Sequence, residues 1–310
     1  MTSKAASYLL RHGAQKECVP IQPDGMMKIN DLIKWLHTSG YHVDKKDIYQ
    51  MVKDDQKGRY RIDTDKDIIG AVQGHSMDVT PSTHPWNQPG PLLHCSYIKH
   101  LKSIKETGLK RMTRQHIHLI YPDQPSWILA RKNINLYIVI NESDKHDLEF
   151  IKADNGVVLT SGIDGVIPSE YLTFIEAPRN TACYGFIIRD IHSGKILMVS
   201  TKNGHFGFPK GKKKGGEHSL CCALRELYEE TGISVDKLTI GLSTYEEIND
   251  KGNCPTVYFE AHVDGCLPSK CLDLDEDLTT HWLSQEDIEK LSEWELYPRR
   301  RKVLHAVLNQ

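Results

Sequence analysis

Apolar residues recur along this 310-residue chain first at helical spacing and then at strand spacing. Residues 2–12 put Ala5, Ala6, Leu9 and Leu10 on one helical face. Leu32, Ile33 and Leu36 mark a second helix that Asn30 would cap, and Ile48, Met51 and Val52 mark a third behind Asp44. RYRI and DIIGAVQ follow as two short extended runs around the polar turn DTDKD, so the opening segment reads as three helices and a two-stranded wing. After the proline-rich THPWNQPGP, Thr83 to Pro91, the pattern shortens to the strands LLHCSY, HIHLIY, LYIVI and GVVLT, which sets a lobe boundary near residue 90. A second break falls at EAPRN, Glu176 to Asn180. Beyond it YGFIIRD, KILMVS, TVYFEAHV and THWLS accompany one long helix. A chain of this length suits two domains better than a single core.

No apolar run approaches the roughly 20 residues that cross a bilayer. The first residues are too poor in apolar side chains for a signal peptide, so the expected place is the cytoplasm, with the nucleus also open. The eight cysteines show neither CxxC nor Cys/His ligand spacing and read as reduced small side chains, not a zinc site. A net charge of −2 is silent about nucleic acid, but KHLKSIK, LKRMTRQH, KGKKK and PRRRK gather positive charge locally, as phosphate binding requires.

The densest chemistry lies in GKKKGGEHSLCCALRELYEETGI, Gly211 to Ile233. Glu226, Glu229 and Glu230 stand at i, i+3 and i+4 and share one helical face, while Leu220, Ala223, Leu224 and Leu227 form the core-facing stripe. Carboxylates so close repel unless divalent cations lie between them, and oxygen-only ligands select Mg²⁺ or Mn²⁺. Such ions bridge a diphosphate and activate water for attack on phosphorus. Gly215 and Gly216 allow a turn before the helix, and Gly232 can end it in the left-handed conformation. Gly211, Glu217, Arg225, Glu226, Leu227, Glu229, Glu230, Gly232 and Ile233 resemble the Nudix box at every specified position. The resemblance implies that Glu226, Glu229 and Glu230 bind metal, with Glu229 catalytic, and that Arg225 holds the glutamates. FGFPKGK, Phe206 to Lys212, is similar to the segment preceding the box in decapping and diadenosine-polyphosphate-cleaving members, where the lysine, here Lys210, faces the phosphate chain; Lys210 and Arg225 are the candidate phosphate contacts. A further acid from a later loop, Glu276, completes the expected metal set.

The first half has no carboxylate cluster, P-loop or nucleophile elbow. It carries LLRHG, DQKGRYRI, AVQGHS, LLHCS, GLKRMTRQHIHL, LARKN and DNGVVLT, in an order and spacing that resemble the RNA 2′-phosphotransferase family over residues 1 to 175. The implied architecture is α+β and multidomain: a winged-helix RNA-binding lobe at 1–90, an ADP-ribosyltransferase-fold NAD⁺-binding lobe at 91–175 and an α/β/α Nudix sandwich at 176–310. The implied catalytic residues are Arg11, His12, Arg59 and Arg131. His94, Ser96, Arg114, His116, His118 and Asn155 match the NAD⁺-contacting strings. Leu93, Cys95 and Gly70 depart from the family's pattern. In the implied reaction the RNA 2′-phosphate attacks the ribose C1″ of NAD⁺ and expels nicotinamide. The 2″-hydroxyl then attacks phosphorus, releasing RNA with a 2′-hydroxyl and ADP-ribose 1″,2″-cyclic phosphate. Guanidiniums suit the phosphoryl dianion, and His12 suits binding it or moving a proton.

The resulting expectation is a bifunctional enzyme acting on tRNA-like RNA with an internal 2′-phosphate and on a diphosphate-linked nucleotide: an ADP-ribose derivative, a dinucleoside polyphosphate or an RNA 5′ end. The alternative is a first half that only binds RNA or ADP-ribose and delivers it to the hydrolase.

Overall fold

The structure, a computed structural model, describes residues 2–123, 130, 133–273 and 277–309. Helix Thr2–Tyr8 buries Ala6 as its apolar face requires, but it does not continue as an α-helix to residue 12. Leu9–Gly13 widens into a π turn, in which the Ala14 N–H reaches back to Leu9 O at 3.0 Å. Glycine at residue 13 leaves room for the Tyr8 ring, which a Cβ there would approach to 2.7 Å. Such turns are uncommon and concentrate at functional sites; this one carries Arg11 and His12.

Helix Ile29–Thr38 starts before Asn30, which lies inside its first turn and is not the cap. Strand Met26–Lys28 runs directly into the helix, Lys28 stays extended, and the Ile29 N–H is met by Asp67 O at 3.0 Å. Asp44 does cap helix Lys45–Lys53, in a reciprocal box with Asp47. The wing has three strands instead of two. Ile68–Ala71 is central, antiparallel to Tyr60–Asp63 and to Met26–Lys28. Gly70 stands opposite Met26, and a Cβ there would lie 2.6 Å from the Met26 sulfur and 2.8 Å from Gly25 O, so close strand packing explains the missing side chain. Leu9, Leu10, Ile29, Leu32, Leu36 and Ile69 form the shared core.

The chain folds as two compact units, each built from separated stretches. Residues 1–87, 103–120 and 147–169 make the first, which also holds a four-stranded sheet in the order Thr83–Pro85, Ile151–Ala153, Val158–Thr160, Ile117–Leu119. Residues 88–102, 121–146 and 170–310 make the second, so the stretch 91–175 is divided between them. In the second unit, Leu136–Ile140 is buried at every position and pairs antiparallel with Leu92–Ser96 and Thr173–Glu176. Asn141, just past it, accepts from the Ile240 N–H at 2.9 Å and donates to Ile240 O at 3.1 Å.

That tie leads into a seven-stranded sheet whose main path runs Phe206–Gly207, Ile196–Thr201, Cys183–Asp190, Thr256–Val263, Thr239–Glu247. Cys183–Asp190 and Thr256–Val263 are parallel; Lys210–Lys212 pairs with the first and Leu278–Leu283 with Ile196–Thr201. Helix Pro298–Leu308 packs Val303, Leu304 and Val307 against Ile187, Met198 and Tyr258. Helix Ser219–Thr231 packs on Cys183–Asp190 and buries Leu220, Ala223, Leu224 and Leu227, the expected stripe, together with Cys221 and Cys222. Gly232 ends it at φ 71°, its N–H on Tyr228 O.

Candidate active sites

In the first unit the π turn, the loop after Ile68–Ala71, and the loop before Ile117–Leu119 bring Arg11, His12, His75, Arg114 and His116 together. Arg11 Nε and Nη2 are buried and have no hydrogen-bond partner among the described residues. Burial lowers the Arg11 pKa; Tyr60 opposes this, while the like charges of Arg114 and Arg59 add to it. Gly74, at φ +91°, takes the left-handed conformation that favours glycine where its loop passes the Arg11 side chain. The next residues complete the wall: the Ser76 N–H donates to Arg11 O at 3.0 Å, and Ser76 Oγ lies 2.9 Å from His12 Nδ1. Burial, then Arg114 and Arg11, lower the His12 pKa.

The string AVQGHS by itself gives His75 no role. In the structure His75 is 2% exposed, and neither ring nitrogen has a partner among the described residues. Burial first, then the charge of Arg11, pushes its pKa down to about 4. The glycine before it was the available signal. Arg59 is paired with a carboxylate: its Nε and Nη2 each lie 2.7 Å from Asp55 Oδ1. Arg114 Nη1 is 3.3 Å from His118 Nδ1, and His116 is pushed down by burial and then by Arg111. Asn155 braces the turn ahead of Arg59, donating to Lys57 O at 3.1 Å, and its Cβ lies 3.1 Å from where a Cβ at Gly58 would stand.

His94 and Ser96 lie in the second unit on Leu92–Ser96 and share one face of that strand. Leu93 and Cys95, two of the three departures, fall on the other face, where both are buried and Cys95 registers with Tyr137. Arg131 lies outside the described residues, as does Glu276.

The second unit's centre is Arg225, which is 6% exposed. Its Nε and Nη2 reach Glu217 at 2.9 and 3.1 Å, Nη1 reaches Glu226 at 2.6 Å and Glu229 at 2.7 Å, and Nη2 also donates to Lys212 O. Burial alone would lower its pKa; the three carboxylates outweigh that and raise it. Arg225 therefore positions glutamates and has no face left for a substrate phosphate. Gly211 is dictated by the same cluster: a Cβ there would meet Glu226 Oε2 at 2.0 Å. Glu230, 4% exposed, accepts the Lys210 N–H at 2.9 Å. Among the described residues no three His, Cys, Asp or Glu side chains converge as a metal-binding group. The loop toward residue 276 is fastened to the helix end, with the Leu272 and Asp273 N–H groups on Glu229 O.

Lys210 and Glu230 line a cavity of about 390 Å³ with His205, Phe208 and Arg300. Beside it His205 packs on Trp294 at 4.4 Å and stacks on Tyr297 at 5.2 Å, and the Arg300 guanidinium lies 5.5 Å from the Tyr297 ring. Trp294 is 60% exposed and leaves an open aromatic face there.

The sequence pattern of the RNA 2′-phosphotransferase, Tpt1 / KptA family matches residues 1–162, and that of the NUDIX domain matches residues 179–307. The tRNA 2′-phosphotransferase 1 of Danio rerio is 33% identical over 198 residues, covering 58% of this chain and 87% of its own. A protein of Fusobacterium nucleatum, named a probable RNA 2′-phosphotransferase, is 30% identical over 172 residues, 54% of this chain and 94% of its own.

Proposed function

Because the chain belongs to the RNA 2′-phosphotransferase family and carries a Nudix domain in its second half, we propose that this transferase and hydrolase removes an internal 2′-phosphate from RNA with NAD⁺ and cleaves a diphosphate-linked nucleotide. The observation that carries the first activity is the buried Arg11 guanidinium with Nε and Nη2 unpartnered among the described residues. Buried donors of this kind are costly unless something meets them, and a 2′-phosphomonoester, close to a dianion at pH 7, suits a planar guanidinium. His12, held by Ser76, would meet the same dianion and move a proton. In this reading the three helices and wing are a winged-helix lobe over 1–90, 91–175 is an ADP-ribosyltransferase-fold lobe, and 176–310 is the hydrolase. Within the first unit, Arg114, His116, His118 and Asn155 would contact NAD⁺.

For the hydrolase, Glu226, Glu229 and Glu230 would hold Mg²⁺ or Mn²⁺ together with Glu276. The donors are of the kind a hard cation takes, carboxylate oxygens on one helical turn, although among the described residues no three of them converge. A bound cation supplies Lewis acidity and a more acidic water. Arg225 keeps the carboxylates oriented, Lys210 meets the phosphate chain, and the His205, Trp294 and Tyr297 rings offer a stacking face to a base.

The Arg59–Asp55 pair favours a second reading, a first half that binds RNA or ADP-ribose without reacting, because one of the four implied catalytic groups is already neutralised. Release of nicotinamide from NAD⁺ by the full chain with 2′-phosphorylated RNA separates the two readings. Release that disappears in Arg11→Ala supports the transferase; no release leaves the binding module.

A further inference from the structure

A second cavity, of about 590 Å³, lies on the side of the carboxylate helix that carries Cys221, Leu224, Arg225, Tyr228 and Glu229. Its opposite wall comes from Gln88, Tyr121, Pro122 and Asp123, which belong to the phosphotransferase-like stretch, and Ser234, Val235 and Asp236 close it. The volume lies within the range of small-molecule sites, roughly 300–1,000 Å³. It adjoins Glu229 but shares none of its lining residues with the cavity around Lys210 and Glu230.

The lining restricts the occupant. Tyr228 is half exposed, and Pro122, Leu224 and Val235 add apolar surface. Among the described lining residues the charged groups are the carboxylates Asp123, Glu229 and Asp236 and one cation, Arg225, whose donors are already spent on Glu217, Glu226, Glu229 and Lys212 O. Among these residues a phosphorylated group would meet acids and no free cation. An uncharged planar ring with hydroxyl and amino donors meets a tyrosine face and carboxylate acceptors.

Resting on the hydrolase reading above, we propose that this cavity binds the uncharged nucleoside at one end of a two-ended substrate, whose phosphate chain lies at the carboxylates and whose other end stacks at His205, Trp294 and Tyr297. The phosphotransferase-like stretch thereby contributes Tyr121 and Asp123 to the substrate specificity of the hydrolase.

The test measures equilibrium binding to the full chain, with Mg²⁺, of two probes: a methylene-bridged non-hydrolysable diadenosine tetraphosphate, and ATP, which has one nucleoside end. Tyr228→Ala removes the ring face and Val235→Trp fills the cavity. Each is expected to raise the Kd of the two-ended probe relative to that of ATP by about tenfold, the loss of one base–aromatic stack. Thermal melting of both variants establishes that they are folded. An unchanged ratio in folded variants overturns the subsite while leaving the hydrolase intact. If the unaltered chain binds neither probe and cleaves neither ATP nor diadenosine tetraphosphate with Mn²⁺, the hydrolase reading fails and the subsite falls with it.

Discussion

Tyr137 Oη lies 2.9 Å from Ser219 Oγ, with both side chains buried. Ser219 opens the carboxylate helix, His218 gives it no side-chain cap, and the tyrosine oxygen also meets the Leu220 N–H. A residue of the phosphotransferase-like stretch therefore closes the helix that carries the hydrolase carboxylates. Burial pushes the phenol far above its ordinary pKa and keeps it neutral. Tyr137→Phe should cost about 1 kcal/mol, or about 2–4 °C in Tm for a unit of this size. Calorimetry of the full chain checks this, and an unchanged transition would remove the cap from the account.

Arg225 neutralises carboxylates that are themselves largely buried, with side-chain exposures of 9% for Glu217 and 12% for Glu226. Arg225→Leu strands those charges and should destabilise the second unit by about 3–5 kcal/mol. Arg225→Lys should recover part of the stability but little hydrolysis, because one ammonium cannot serve Glu217 on one side and Glu226 and Glu229 on the other. Denaturant unfolding alongside a phosphate-release assay distinguishes the two effects.

Gly211→Ala puts a methyl where the Glu226 carboxylate stands. The carboxylate has to move, so hydrolysis should fall at least about tenfold, the price of a small misplacement at a reacting centre. Nicotinamide release should stay at the level of the unaltered chain. Equal loss of both activities would mean general unfolding instead of a displaced carboxylate.

His75 has a pKa of about 4 in the folded chain against an ordinary 6.5. Between these values the unfolded chain binds a proton that the folded chain refuses, so stability falls as pH drops from 6.5 through 4 and is full above 6.5. The loss at acid pH should reach about 3 kcal/mol. His75→Gln should flatten the dependence of Tm on pH in that window; an unchanged slope would assign the acid sensitivity to other groups.

The chemistry of both sites was legible in the sequence because it resides in side-chain types at fixed local spacing. Arg11 and His12 are neighbours, and Glu226, Glu229 and Glu230 fall within one turn. Helix faces and most strands followed from periodicity for the same reason. The π turn did not, since one residue of extra winding leaves the apolar spacing of Leu9 and Leu10 unchanged, and the Asn30 cap failed because a preceding strand feeds the helix directly. Least legible was the building of the second unit. The Tyr137–Ser219 and Asn141–Ile240 bonds join residues 82 and 99 positions apart, and no local pattern announces such pairs. His75 stayed hidden because burial, not residue type, sets it apart.

The central claim is that one chain holds two independent active sites. The most direct measurement incubates the full chain with NAD⁺, Mn²⁺, diadenosine tetraphosphate and a short RNA bearing an internal 2′-phosphate, beside Arg11→Ala and Glu229→Ala, and identifies every nucleotide product. The account predicts that Arg11→Ala abolishes nicotinamide release and RNA dephosphorylation while diphosphate cleavage persists, and that Glu229→Ala does the reverse. RNA that keeps its phosphate with the unaltered chain, or loss of both activities in either folded variant, would contradict it.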